Sequence, residues 1–206
     1  METQEQIDAV ISNPSAIQFI ENPSVRLQWL AVKYDPQAIE WIKNPDPEVV
    51  KKAVKRTGYC IRFISDPSID LQRIAIESQP SSLHFIKNPT PEITRMALEA
   101  DGNNIRYIKN PSEELQLIAV NGISNLDLIE NPTLSVVVEV IKYYVKRGWR
   151  NQATDFYSYL FRTVSRETRE EVIKTNPNFA LYMCQIDSEL REKYKDLVSS
   201  LESGYL

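Results

Sequence analysis

"FIKNPTPEI", residues 85–93, nearly duplicates "WIKNPDPEV", residues 41–49. Variants of the same string stand at 19–25 (FIENPSV), 63–69 (FISDPSI), 107–113 (YIKNPSE) and 128–134 (LIENPTL). The motif proline therefore falls at Pro23, Pro45, Pro67, Pro89, Pro111 and Pro132, in steps of 22, 22, 22, 22 and 21 residues. A fixed period of this length is the signature of stacked supersecondary units, each too small to bury its own apolar face. We number each unit from the Asn or Asp before this proline as position 1, so that repeats 1 to 6 start at Asn22, Asn44, Asp66, Asn88, Asn110 and Asn131.

Position 3 reads Ser24, Asp46, Ser68, Thr90, Ser112 and Thr133. All are residues whose side-chain oxygen can accept an orphan N–H in the first turn of a helix. Pro47 and Pro91 follow at a first-turn position, where the missing N–H costs nothing. Glu48, Asp70, Glu92 and Glu114 stand one residue later, at the positive end of the helix dipole. Apolar residues recur at position 6, at position 10 (five alanines, then Val140) and at position 11. Steps of four and five residues mark one buried helical stripe, and the alanines let a neighbour approach closely. This is helix A.

A second, shorter helix of about seven residues, with 3₁₀ character, is expected from position 15 onward. Asn13-Pro14, Asp35-Pro36 and Gln79-Pro80 restart the chain there by capping, with Thr57-Gly58 and Asp101-Gly102 as glycine variants. Its apolar positions are 18, 20 (Phe19, Trp41, Phe63, Phe85, Tyr107, Leu128) and 21, which is isoleucine six times. All three are expected to be core, and Asn-Pro is expected to end the helix, because proline disfavours helical geometry in the residue before it.

The period continues past the obvious copies. "SRETREEVIKTNPNFALYM", residues 165–183, fits the register with Ser165 as cap and Val172-Ile173 at positions 10 and 11. Between Pro132 and Val164 lie one period and ten further residues, read as an elaborated helical segment rich in Tyr143, Tyr144, Trp149, Phe156, Tyr157, Tyr159 and Phe161. That cluster is expected to be the core of a terminal subdomain, or else a homodimer surface. A final helix from about Asp187 to Leu201, apolar at Leu190, Tyr194, Leu197 and Leu201, reads as a cap closing the stack.

The unit "NPDPEVVKKAVKR" followed by a short helix ending in "IRFI" resembles the two-helix units of leucine-rich-repeat-variant proteins. It is also similar to short helical repeats of bacterial, protist and large-virus proteins, and more broadly to a miniature HEAT or armadillo array. The likeness covers residues 5–142 and, in weaker form, 163–195. It implies a binding scaffold, a concave surface lined by helix B, and no catalytic residue. The expected fold is thus all-α: a right-handed α-solenoid of two-helix repeats over 1–142, then an elaborated unit, a degenerate repeat and a capping helix over 143–206.

Chemistry is sparse. With one histidine, His84, the Ser-His-Asp, Cys-His and multi-histidine metal arrangements lack parts. No glycine-rich phosphate loop or CxxC pair is present, and no cofactor or metal is expected. Carboxylates distant in sequence that meet in space are the one catalytic arrangement these counts leave open. Cys60 and Cys184 form neither a zinc spacing nor a disulfide framework, which suits a reducing compartment. The N-terminal residues lack the basic and apolar regions of a signal peptide, and no stretch reaches the about 18 apolar residues of a membrane span, so a cytoplasmic protein is expected.

Function is sought where the repeat does not demand an apolar residue. Position 8 reads Trp29, Lys51, Arg73, Arg95 and Leu117; position 19 reads Gln18, Glu40, Arg62, His84, Arg106 and Asp127. Equivalent positions in a stack form stripes, and both columns are basic in the central repeats. Residues 1–21 carry four acids and no base, 22–109 thirteen bases against ten acids, and 110–141 five acids and no base. The net charge of −4 therefore hides a basic middle. The candidate binding residues are Arg62, His84, Arg106, Trp29, Lys51, Arg73 and Arg95, with Trp29 read as an interface anchor beside Lys33, Lys51 and Lys55 or as a cover over the first repeats. The expectation is a non-enzymatic scaffold, an inhibitor or adaptor, binding a protein with an acidic surface; the alternative is nucleic acid in a central basic groove. The competing explanation of the stripes is a solvated face whose cations pair with acids on the next repeat.

Overall fold

The computed structural model describes residues 2–120, 123–146, 164–175, 184 and 188–203. Every regular element among them is a helix, and the chain divides into two compact units, 1–107 and 108–206. None of these helices is long and apolar enough to cross a membrane.

In the first unit, α-helices α1 (Gln4–Ser12), α2 (Val25–Tyr34), α3 (Pro47–Arg56), α4 (Ile69–Ser78) and α5 (Pro91–Ala100) alternate with six-residue 3₁₀ helices. These are η1 (Pro14–Phe19), η2 (Pro36–Trp41), η3 (Gly58–Phe63), η4 (Pro80–Phe85) and η5 (Gly102–Tyr107). Each α-helix packs on the next α-helix and each 3₁₀ helix on the next 3₁₀ helix, giving one layer of each kind.

The caps explain the starts. Ser24, Asp46, Ser68 and Thr90 each accept a first-turn N–H at 2.9–3.3 Å. Asn13, Asp35 and Asp101 start their 3₁₀ helices with Asx bonds of 2.9–3.2 Å. Thr57 and Gln79 make no such cap; Gln79 Oε1 instead accepts the Tyr59 backbone N–H of the preceding repeat at 3.2 Å.

Helix B ends sooner than the Asn-Pro rule predicts. Position 21 is already extended (Ile20, Ile42, Ile64 and Ile86 at φ −94° to −105°), three residues before the proline. Asn22 takes a left-handed φ of 50°, a conformation that asparagine tolerates better than most residues.

The core is the predicted stripe: Ala31, Ala53, Ala75 and Ala97 are fully buried, with Val32, Val54, Ile76 and Leu98 beside them and Ile17, Ile39, Ile61, Leu83 and Ile105 facing them from the 3₁₀ layer. Cys60 is buried in the small-residue column that also holds Ala38, Ser82 and Asn104. Position 20 corrects the sequence reading. Phe19 is 83%, Trp41 43% and Tyr107 40% exposed, and Phe63 and Phe85 are half-buried. Position 20 is the last residue of each 3₁₀ helix, and the buried side of that layer is filled by positions 17 and 18 instead.

The second unit contains α6 (Glu113–Ala119), α7 (Ile123–Leu126), α8 (Leu134–Lys146), α9 (Arg166–Thr175), α10 (Ser188–Lys193) and α11 (Lys195–Glu202). Helix α8 packs on α6, α7 and α9 and buries Val136, Val137 and Val140. Ser112 caps α6 and Ser165 caps α9, and Val172 and Ile173 are buried as the degenerate register predicts. Thr133 departs from the pattern: its buried hydroxyl finds no partner among the described residues, and it is its backbone N–H that is bonded, to Gln116. The single final helix is in fact two, broken at Tyr194 (φ −114°, ψ 23°), with Leu190 and Val198 as its buried residues. The aromatic residues Trp149, Phe156, Tyr157, Tyr159 and Phe161, and with them the homodimer surface, lie outside the described residues.

Candidate functional site

The short 3₁₀ helices bring positions 19 and 20 to the end of each helix, clear of the α layer. On repeats 2, 3 and 4 the two columns join into one ladder. The Arg62 guanidinium lies 4.5 Å from the Phe63 ring centre and 5.9 Å from that of Phe85. Phe85 meets His84 edge-on at 5.0 Å, and His84 stacks on Tyr107 of repeat 4 at 4.7 Å with a 42° tilt. Tyr59 closes the near side, packing edge-on against Phe85 at 5.5 Å while its hydroxyl shares a 2.6 Å hydrogen bond with the Ser81 hydroxyl. Such edge and tilted contacts are the favoured aromatic geometries.

Arg62 is held on two sides. Ring faces attract its cation, and Nη2 donates to Gln37 Oε1 of repeat 1 at 3.2 Å. Both Arg62 and Gln37 are exposed, so the guanidinium keeps donors open to solvent. A planar, pre-oriented guanidinium is the group that binds carboxylate or phosphate in a bidentate way.

The remaining predicted residues sit apart from this ladder. Arg106 is exposed and its Nε donates to the Asn103 carbonyl of its own 3₁₀ helix at 3.0 Å. Arg73 bridges Asp70 and, across the repeat boundary, Glu92, both at 3.0 Å. The Glu92 carboxylate, followed by Asp70, raises the Arg73 pKa above its usual value. That bond ties repeat 3 to repeat 4. Trp29 is 38% exposed, and its cationic neighbour is Lys52, whose Nζ lies 5.7 Å from the ring centre; this differs from the lysines expected there. Lys51 and Arg95 are exposed on the same helical layer.

Sequence reasoning missed half of the ladder. Phe63, Phe85 and Tyr107 had been assigned to the core, and Gln37, Tyr59 and Ser81 form a position-16 column that only its 22-residue spacing could have flagged. A third column was also missed. Gln28, Gln72 and Gln116, at position 7 of alternate repeats, are buried, and each Nε2 donates to its own motif proline carbonyl at 3.0 Å. Gln28 Oε1 accepts the Asp46 N–H at 2.8 Å and Gln116 Oε1 the Thr133 N–H at 3.1 Å, so the amide staples one joint to the next. Arg56 provides another tie, donating to the Val32 carbonyl at 2.6 Å and to the Lys33 carbonyl. Both carbonyls lie in the last turn of α2, beyond which Asp35 turns extended and the intrahelical donors end.

Among the described residues no three His, Cys, Asp or Glu side chains converge as metal ligands. Burial pushes the Cys60 thiol up to about 11. No family model, no curated protein and no solved structure matches the chain.

Proposed function

We propose that the chain is a non-enzymatic scaffold that binds another protein, as an inhibitor or adaptor, through the ladder of Arg62, Phe63, Phe85, His84 and Tyr107, and that its repeats form a short right-handed solenoid. One observation carries this reading: the half-buried rings of Phe63 and Phe85, from two successive repeats, flank a guanidinium open to solvent, and the column runs on through His84 to Tyr107 of the next repeat. Aromatic and arginine side chains are the residues that dominate interface energetics, and a rigid column loses little entropy on binding. The partner that fits is an acidic segment carrying an apolar or aromatic residue, which sets a carboxylate on Arg62 and lays its side chain along the rings.

Aromatic rings beside a cation also suit single-stranded nucleic acid. The net charge of −4 disfavours the long-range attraction to phosphate on which such binding depends. Fluorescence anisotropy with a labelled acidic peptide (Ac-EDFEEW-NH2) and a labelled fifteen-residue thymidine oligonucleotide separates the two. We expect the peptide to bind, with affinity lost in Arg62→Glu and weakened in Phe85→Ala, and the oligonucleotide not to bind. Preference for the oligonucleotide with a steep salt dependence, or peptide binding indifferent to Arg62→Glu, would overturn the proposal.

A further inference from the structure

Repeats 2 and 4 carry no glutamine at position 7, having Val50 and Thr94 instead, and a groove lies at the first of these joints. In repeats 1 and 5 a single carboxamide spans two backbone groups: its N–H bonds the motif proline carbonyl of its own repeat, and its oxygen takes the position-3 N–H of the next. Repeat 2 has Val50 at this position. Its two backbone groups are the Pro45 carbonyl and the Ser68 N–H, and among the described residues neither has a hydrogen-bond partner. Pro45, Val50 and Ser68 all line one groove of about 800 Å³ between repeats 2 and 3.

Part of its lining is apolar. Leu71 is half-exposed, as is Leu115 at the same position of repeat 5, whereas Leu27, Val49 and Ile93 are fully buried. Ile64 and Ile74 are half-exposed beside it and also line the groove. The staple of repeat 3 is incomplete as well. Gln72 keeps its bond to the Pro67 carbonyl, but among the described residues its buried Oε1 has no partner.

We propose that this groove binds a partner peptide segment that inserts an Asn or Gln side chain between the Pro45 carbonyl and the Ser68 N–H, with an adjacent leucine-like side chain on Ile64, Leu71 and Ile74. The occupant follows from the chain's own chemistry. A primary carboxamide has one acceptor oxygen and a donor NH₂, which is the complement of one free carbonyl and one free N–H. Gln28 and Gln116 fill the equivalent pair from within the protein; here the amide comes from outside. A carboxylate offers no donor to the Pro45 carbonyl, and an ammonium offers no acceptor to the Ser68 N–H, so the site selects an amide over either charge. The groove shares the Phe63 ring with the Arg62 ladder, but Arg62 itself does not line it, and the ligand group differs.

The test is a ¹⁵N-resolved NMR titration of the full chain with Ac-Leu-Gln-Leu-NHMe and with its near-isostere Ac-Leu-Met-Leu-NHMe, which lacks the side-chain amide. We expect the glutamine peptide to move the Ser68 amide resonance together with Ile64 and Leu71, and to bind at least tenfold more tightly than the methionine peptide. In Val50→Gln the internal amide takes the place of the ligand: the Ser68 amide gains protection from hydrogen exchange and the response to the peptide disappears. Arg62→Glu leaves the response intact, which separates failure here from failure of the ladder. Equal affinity for the two peptides, no movement of Ser68, or undiminished binding to Val50→Gln would each overturn the proposal. Absence of new Ser68 protection in Val50→Gln would do the same, by showing that one amide cannot span this pair.

Discussion

Gln28 Oε1 accepts the backbone N–H of Asp46, eighteen residues away, at 2.8 Å, while its Nε2 holds the Pro23 carbonyl at 3.0 Å. One side chain thereby links the start of one helix to the start of the next. Its burial makes the link consequential, since a backbone group left unpaired away from water costs about 1–3 kcal/mol.

Gln28→Leu should therefore destabilise the protein by about 1–3 kcal/mol. Gln72→Leu should cost less, because among the described residues the Gln72 Oε1 has no partner to lose. Urea denaturation of the two variants side by side measures the difference. Equal losses would mean that the inter-repeat bond contributes nothing.

Gly58 has a different reason for its identity. A Cβ there would stand 2.4 Å from the Ala75 carbonyl oxygen and 2.5 Å from Ser82 Oγ. Gly58→Ala should cost about 1–3 kcal/mol by overpacking. Removing the hydroxyl in the double variant Gly58→Ala, Ser82→Ala should recover only part of this, because the closer contact is backbone. Thermal melts of the single and double variants decide it.

Arg56 supplies donors to the end of α2, where the chain turns extended at Asp35 and leaves the last carbonyls open. Arg56→Ala should cost about 1 kcal/mol, near the value of one net hydrogen bond, since the side chain is exposed. Urea denaturation of Arg56→Ala measures this, and an unchanged midpoint would mean that the two bonds contribute nothing.

Cys60 should be inert. Burial raises its thiol from the usual 9.0 to about 11, so the reactive thiolate is suppressed in the native protein. Alkylation by iodoacetamide at pH 8 should require unfolding. The linkage has a definite sign. Between pH 9 and 11 the unfolded chain has released this proton and the native chain has kept it, so this group's contribution to stability falls as pH rises through that window. Cys60→Ala, a residue that repeat 1 carries as Ala38 in the same column, should flatten the alkaline slope of a denaturation series.

The sequence by itself determined the period, the helix starts and the buried stripe, because each rests on chemistry within a few residues. Ser24 caps Leu27, and Ala53 is buried wherever helix A packs. The same locality explains the misassigned column. An aromatic residue at position 20 looks like core in a string of apolar letters, but it is the last residue of a 3₁₀ helix, and Phe19 and Trp41 stand exposed there. What the tertiary structure decided lies between repeats. Arg62 reaches Phe85 of the next unit and Gln37 of the previous one, and Gln28 bonds Asp46 across a joint. The letters at 28, 72 and 116 were legible as a 44-residue rhythm, but nothing local says that a glutamine points into a neighbour. Stacking supplies that neighbour. Where it does so with Val50 instead, the polar backbone pair of the joint is left open beside Leu71.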